Sequence, residues 1–274
     1  MKRWNFLFLI LLMNLMVGCG QQTAPVPEEP VSPPVEETPV TEDPALDVPQ
    51  MSVLSEENAP ARRAYAAALK TLLDMNVLPD GTDCSDGYSG SIPERKTMAE
   101  NQFSVYDVDG DGREELILLY TTAITSGEQG FVLDYDEKTE TLHIQLSEYP
   151  ALTFYADGAV MAGWSHNQGK GGAFWPYFLY VYDPDTDSYT QVGAVDAWDK
   201  TLVPEGYPTD IDVSNTGFVY YIYKDVAAEW DQIDPVDAAA YRAWIAPYLG
   251  DGEELALPYT ALTAENIHGL LAAG

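Results

Sequence analysis

From Tyr65 the apolar side chains return at helical spacing, with Tyr65, Leu69, Leu72 and Leu73 on one face. The folded domain is predicted to start near Ser55; Asn58 stands where a helix cap is expected and Pro60 falls in the first turn, so a helix is predicted from there, ended by Pro79-Asp80-Gly81. From Phe103 the period shortens. Leu116–Tyr120 is a continuous apolar run, and Phe103–Tyr106 precedes it. Phe131–Tyr135 and Leu142–Leu146 flank the turn DEKTET, Leu152–Tyr155 and Ala159–Trp164 flank Ala156-Asp157-Gly158, and Phe178–Tyr182 and Tyr189–Val195 flank DPDTDS. Phe218–Tyr223 adds one more strand. The carboxyl end returns to helix: Asp234-Pro235 is read as a start, with Tyr241, Trp244, Ile245, Tyr248 and Leu249 as its buried stripe, and Thr263 caps a last helix through Leu271.

The elements predict an α+β fold: a mainly antiparallel β meander of roughly eight to ten strands, propeller-like or sandwich-like, bracketed by an N-terminal helix and C-terminal helices. The hairpins FVLDYDEKTETLHI and LYVYDPDTDSYTQV look alike, which hints at blade-like repetition, although two copies do not make a propeller.

The amino terminus has a different pattern. Met1-Lys2-Arg3 is a positive start, and Trp4–Val17 is apolar except for Asn5 and Asn14. The run is short for a membrane span, which takes about 20 residues, and fits a secretory signal. It ends in Leu15-Met16-Val17-Gly18-Cys19, which resembles the bacterial lipobox, with Met16 in place of the more usual leucine. The resemblance implies cleavage after residue 18, acylation of Cys19 and an extracytoplasmic protein attached to the outer face of the cytoplasmic membrane, because two acyl chains anchor where one is marginal. Residues 21–50 hold eight prolines, seven acidic residues and no Lys or Arg. Such a segment is expected to stay extended, reaching on the order of 90 Å in polyproline II form. That reach suits a thick, Gram-positive-type wall. The predicted organisation is a signal at 1–18, a lipidated tether at 19–54 and one β-rich globular domain at 55–274.

Composition narrows the partners. Apolar residues make up 46% of the chain, enough for a substantial core, while 44 acidic against 13 basic residues leave a net charge of -31. A field of that sign repels nucleic acid and anionic head groups and attracts divalent cations. With Cys19 acylated, Cys84 has no partner within the chain and is read as a free thiol in a polar loop.

The sharpest chemical signal is Asp107-Val108-Asp109-Gly110-Asp111-Gly112-Arg113-Glu114-Glu115. Carboxylates at the first, third, fifth and ninth positions, a glycine at the sixth and the carbonyl of Arg113 at the seventh suit the oxygen shell of Ca²⁺, so Asp107, Asp109, Asp111, Arg113 and Glu115 are the candidate ligands. An ion-free Asp/Gly turn is the alternative. An EF-hand is excluded, since its apolar eighth and acidic twelfth positions hold Glu114 and Leu118. Lying between two strands, the loop resembles the calcium loop of integrin-type FG-GAP repeats, whose ninth residue is usually Asp; Glu115 departs by one methylene. The stretch MAENQFSVYDVDGDGREELILLY, with the leader and tether, is similar to surface lipoproteins of gut-type Firmicutes. That similarity implies location and fold rather than activity. A bound Ca²⁺ is expected to be structural, holding two strands together.

Other candidates carry less. Asp183, Asp185 and Asp187 break the ligand pattern at Ser188 and Gln191 and read as a hairpin turn. The loop Ser165–Gly172 is read as structural, with His166 a loop histidine; the alternative is a ligand pocket lined by Trp164, His166, Asn167, Trp175 and Tyr177, with His166 as a base or metal ligand. No HExxH, GxSxG or SxxK motif occurs. The tyrosines and tryptophans belong to strand packing, with a sugar-stacking face as the alternative. The expectation is therefore a non-enzymatic, calcium-stabilised binding or interaction module, with an envelope, glycan or protein partner. The rival reading is a surface hydrolase of glycans or peptides.

Overall fold

The computed structural model describes residues 58–85, 97–123, 125–167, 170–224, 233–250 and 252–272. All belong to one unit, Gln50–Gly274. The leader, Cys19, the tether and Ser55 lie outside the described residues. Helix α1 spans Ala59–Met75 and buries Ala61, Arg62, Tyr65, Ala66, Leu69 and Leu72 along one face. Asn58 precedes it but makes no side-chain cap hydrogen bond, so the predicted capping role fails. The helix ends earlier than expected. Asn76 takes the left-handed conformation (φ 53°, ψ 41°) and its N–H closes on the Leu72 carbonyl, which stops the helix before Pro79.

Eleven strands are described, all paired antiparallel: β1 Gln102–Tyr106, β2 Glu115–Tyr120, β3 Gln129–Asp136, β4 Thr141–Glu148, β5 Leu152–Phe154, β6 Ala159–Gly163, β7 Tyr177–Asp183, β8 Ser188–Asp199, β9 Phe218–Tyr223, β10 Val236–Asp237 and β11 Thr260–Ala261. They form two sheets, ordered β11-β1-β2-β3-β4 and β10-β9-β8-β7-β6-β5. Helix α2 spans Ala238–Leu249 and α3 spans Ala264–Ala272.

The strands stack as a sandwich rather than a propeller, and helices cover both outer faces. On one side α1 and α3 pack on Phe103, Leu116, Leu118, Phe131 and Leu133 of the first sheet. Between the sheets lie Ile117, Val132 and Leu146 of the first and Phe154, Val160, Tyr180 and Tyr189 of the second. On the far side Ile245 of α2, with Tyr241, Trp244, Tyr248 and Leu249 partly buried, packs against Tyr177, Leu179 and Val195. Strand β2 therefore sends Leu116 and Leu118 towards helices and Ile117 towards the second sheet. Burial on both faces is the reason its sequence reads as an unbroken apolar run.

The two similar hairpins are β3–β4 and β7–β8, one in each sheet. Asp136 pairs with Thr141 as Asp183 pairs with Ser188, and each hairpin has a register shift at the corresponding place, Val132/Leu133 and Leu179/Tyr180. The repetition is thus real, but it relates facing meanders rather than blades. Where β5 and β6 are joined by a short turn through Asp157-Gly158, β1 and β2 are joined by the longer Asp107–Glu114 segment.

The start of α2 also differs from expectation. Val236 and Asp237 pair with Tyr220 and Val219 of β9, so strand pairing holds the chain extended beyond Pro235. Asp237 then caps the helix through the Ala239 N–H at 3.1 Å. Thr263 caps α3 as predicted, its Oγ1 accepting the Asn266 N–H at 3.2 Å. No described helix is long and apolar enough to cross a membrane.

Candidate metal centre

The loop between β1 and β2 is built by its own aspartates. Asp107 accepts the N–H groups of Gly110 at 2.8 Å and Gly112 at 3.1 Å. Asp109 accepts Asp111 N–H at 3.0 Å, and Asp111 accepts Arg113 N–H at 2.7 Å. These side-chain-to-backbone turns fold the segment on itself. Gly110 and Gly112 have φ of 79° and 92°, which disfavours any residue with a Cβ there.

Glu115 completes the loop. As the first residue of β2 it lies on the same side as Ile117 and points between the sheets. It is 0% exposed. One oxygen, Oε2, accepts Val108 N–H at 2.8 Å; the other, Oε1, is buried without a hydrogen-bond partner. Ligand oxygens of Asp107, Asp109 and Glu115 lie within 4.8 Å of one another. Burial pushes the Glu115 carboxyl up to about 10, reinforced by Asp109 and Asp107, and burial pushes Asp109 up to about 6. Three close carboxylates, one of them with a bare buried oxygen, form an environment that a divalent cation neutralises. The donors are all oxygen, as a hard cation requires.

Asp111 is not one of these three. Asp111 turns its Oδ2 to Arg113 Nε at 2.9 Å. The Arg113 guanidinium also reaches Asp134 at 2.9 Å and Asp187 at 3.9 Å. Glu114 is tied to helix α1: Arg62 donates to both its carboxylate oxygens at 2.6–2.9 Å, and Tyr65 donates to its carbonyl at 2.6 Å.

The second sheet supplies a part of the site that the sequence did not mark. Asp183–Asp187 is the expected hairpin turn, with Asp185 N–H on Asp183 at 3.0 Å. Asp187, however, reaches across to the first sheet, where Gln145 Nε2 donates to it at 2.7 Å and to Asp109 at 3.3 Å. Tyr182 OH donates to Asp187 at 3.0 Å. Tyr189 is buried beside the cluster with no partner for its hydroxyl, and burial with the charges of Asp109 and Glu115 raises its pKa above the usual range. The facing position of the two hairpins, a long-range feature, is what brings these groups together. Next to the loop is a cleft of about 540 Å³, lined by Asn58, Arg113, Asp134, Lys138, Tyr182 and Asp187 among others.

The residues of the alternative ligand pocket lie on the segment between β6 and β7 and at the start of β7. Tyr177 is buried towards α2, its hydroxyl 2.8 Å from that of Tyr241. Trp164 contacts Phe178, whose side chain leaves β7 on the opposite face from Tyr177. Trp175 is 50% exposed and donates its indole N–H to the Trp164 carbonyl at 2.7 Å. Asn167 braces the loop through the Phe174 carbonyl at 3.1 Å, and His166 is exposed with Nδ1 3.0 Å from Ser165 Oγ. Cys84 is a free thiol, half-buried against the α1 core, and burial raises its pKa.

Comparison with protein-family models, with characterised proteins and with solved structures finds no match to this chain.

Proposed function

We propose that this chain is a membrane-anchored extracytoplasmic lipoprotein whose β-rich unit is a calcium-stabilised binding or interaction module. The observation that carries the calcium reading is the bare, fully buried Oε1 of Glu115 beside Asp107 and Asp109. An ionised carboxyl with no partner is costly in such a place, and a bound cation removes that cost. The leader, the Cys19 motif and the acidic proline-rich tether support placement outside the membrane, and the excess of acidic residues argues against nucleic acid as a partner. A glycan or protein of the envelope is the partner class that this placement offers.

Thermal unfolding of residues 51–274 in calcium, magnesium or chelator tests the reading, beside an Asp107→Asn/Asp109→Asn variant. Calcium at ten times its dissociation constant adds about 1.4 kcal/mol, or about 3–6 °C for a unit of this size. A calcium-specific rise that the variant lacks is expected. Equal midpoints in calcium and chelator would contradict the reading and leave an Asp/Gly turn.

A further inference from the structure

The ninth position of the loop opens into the space between the sheets, and that placement brings the second sheet into the chemistry. Gln145 Nε2 stands between two carboxylates from different sheets, 2.7 Å from Asp187 Oδ1 and 3.3 Å from Asp109 Oδ2. Asp187 is fixed in turn by Tyr182 OH at 3.0 Å, and its carbonyl oxygen lies 2.9 Å from His143 Nε2. The β5–β6 turn closes on the same place, since a Cβ built on Gly158 would lie 3.6 Å from the Asp109 carbonyl oxygen and 3.5 Å from Tyr182 Cβ. From these contacts we infer that Gln145 and Asp187 are positioning residues of the cation site, and that a bound cation fastens the β7–β8 hairpin of the second sheet to the β1–β2 loop of the first.

The coupling follows from the chain of hydrogen bonds. Asp109 is a candidate ligand whose carboxylate is oriented by the Gln145 amide. That amide is in turn held chiefly by Asp187, its shorter contact. Removing the Asp187 charge loosens the amide and releases Asp109 from its orientation, and groups that orient metal ligands in this way set affinity. Linkage then acts in the other direction: if docking of the hairpin improves cation binding, cation binding must stabilise docking of the hairpin by the same factor. Tyr182, Asp187 and Arg113 also line the neighbouring cleft, so the cation governs the order of that wall as well. The inference rests on the calcium reading above and extends it from a clamp on two adjacent strands to a link between sheets.

Two measurements on the full chain in detergent micelles test it: calcium titration calorimetry and amide hydrogen exchange with and without calcium. Asp187→Asn and Gln145→Met are each expected to weaken calcium binding about 10-fold or more, while Asp185→Asn, in the same turn, leaves it unchanged. In the unmutated chain calcium is expected to slow exchange across residues 183–188 as well as 107–115. Calcium binding with protection confined to 107–115, together with unchanged affinity in both Asp187→Asn and Gln145→Met, overturns the inference while leaving the calcium site intact. Absence of calcium binding in the unmutated chain overturns the calcium reading itself, and this inference with it.

Discussion

Glu115 closes the loop that precedes it: its Oε2 accepts the Val108 N–H at 2.8 Å, its Oε1 is buried without a hydrogen-bond partner, and its carboxylate groups with those of Asp107 and Asp109. The same side chain therefore does two things. It fixes the loop to the start of β2, and it leaves one buried oxygen without a hydrogen-bond partner. The Asp usual at this position in the integrin-type FG-GAP pattern is one methylene shorter than Glu115.

Substituting Glu115→Asp restores the residue usual in that pattern, yet it is expected to weaken calcium binding. The shorter side chain gives up the bond to Val108, and a hydrogen bond to a charged group contributes about 1.5–3 kcal/mol. Calorimetric titration of both proteins checks this; equal or tighter binding by the variant would show that the Val108 contact does not set the site.

Arg62 and Glu114 form a buried pair, with side chains 2% and 8% exposed. Removing one partner takes from the other the counter-ion that balances its buried charge between α1 and the loop, and is expected to cost about 3–5 kcal/mol. Urea unfolding in chelator should show this loss for Glu114→Gln and for Arg62→Met. The double variant Arg62→Met/Glu114→Leu should recover most of it, because an apolar pair carries no such penalty.

The sequence made the strand cores legible because burial leaves a local trace. Phe218–Tyr223 was located to the residue, and the two-sided packing of β2 produced the apolar run at Leu116–Tyr120. The three oxygen donors Asp107, Asp109 and Glu115 were legible for a similar reason, since spacing within one loop is local. Gln145, Asp187 and Tyr189 were not. Their part depends on which hairpins face one another across the sandwich, and the pattern within each hairpin is the same whether it faces a sheet, a helix or solvent. The α2 boundary failed for a related reason: pairing of Val236–Asp237 with β9 outweighed the local Asp-Pro start signal.

Stability in chelator should fall as pH rises. In the folded state Glu115 is raised to about 10 and Asp109 to about 6, both above their unfolded values. The folded protein therefore binds more protons than the unfolded chain from about pH 4.5 upwards, and stability declines with pH through that window. Repulsion among the many other acidic groups adds a slope of the same sign, so the contribution of the loop is the difference between the native protein and Glu115→Gln. Melting at about pH 5 and about pH 8 should show a steeper loss for the native protein in chelator, and calcium should remove that difference. Parallel slopes in chelator would remove the case for a costly buried charge at Glu115.

Attachment through Cys19 is expected to partition the intact protein into the detergent phase of membrane extracts, whereas Cys19→Ala leaves an unacylated chain. Metabolic labelling with a radioactive fatty acid reads this out directly. Label that persists in Cys19→Ala would place the lipid elsewhere.

The most direct test of the central claim is equilibrium calcium binding to residues 51–274 by isothermal titration, with Glu115→Gln measured beside it. One site per chain, lost or greatly weakened in Glu115→Gln while that variant melts in chelator no earlier than the native protein, is the expected result. Absence of calcium binding by the native protein, or equal binding by both, would contradict the assignment of the buried Glu115 oxygen as a calcium ligand.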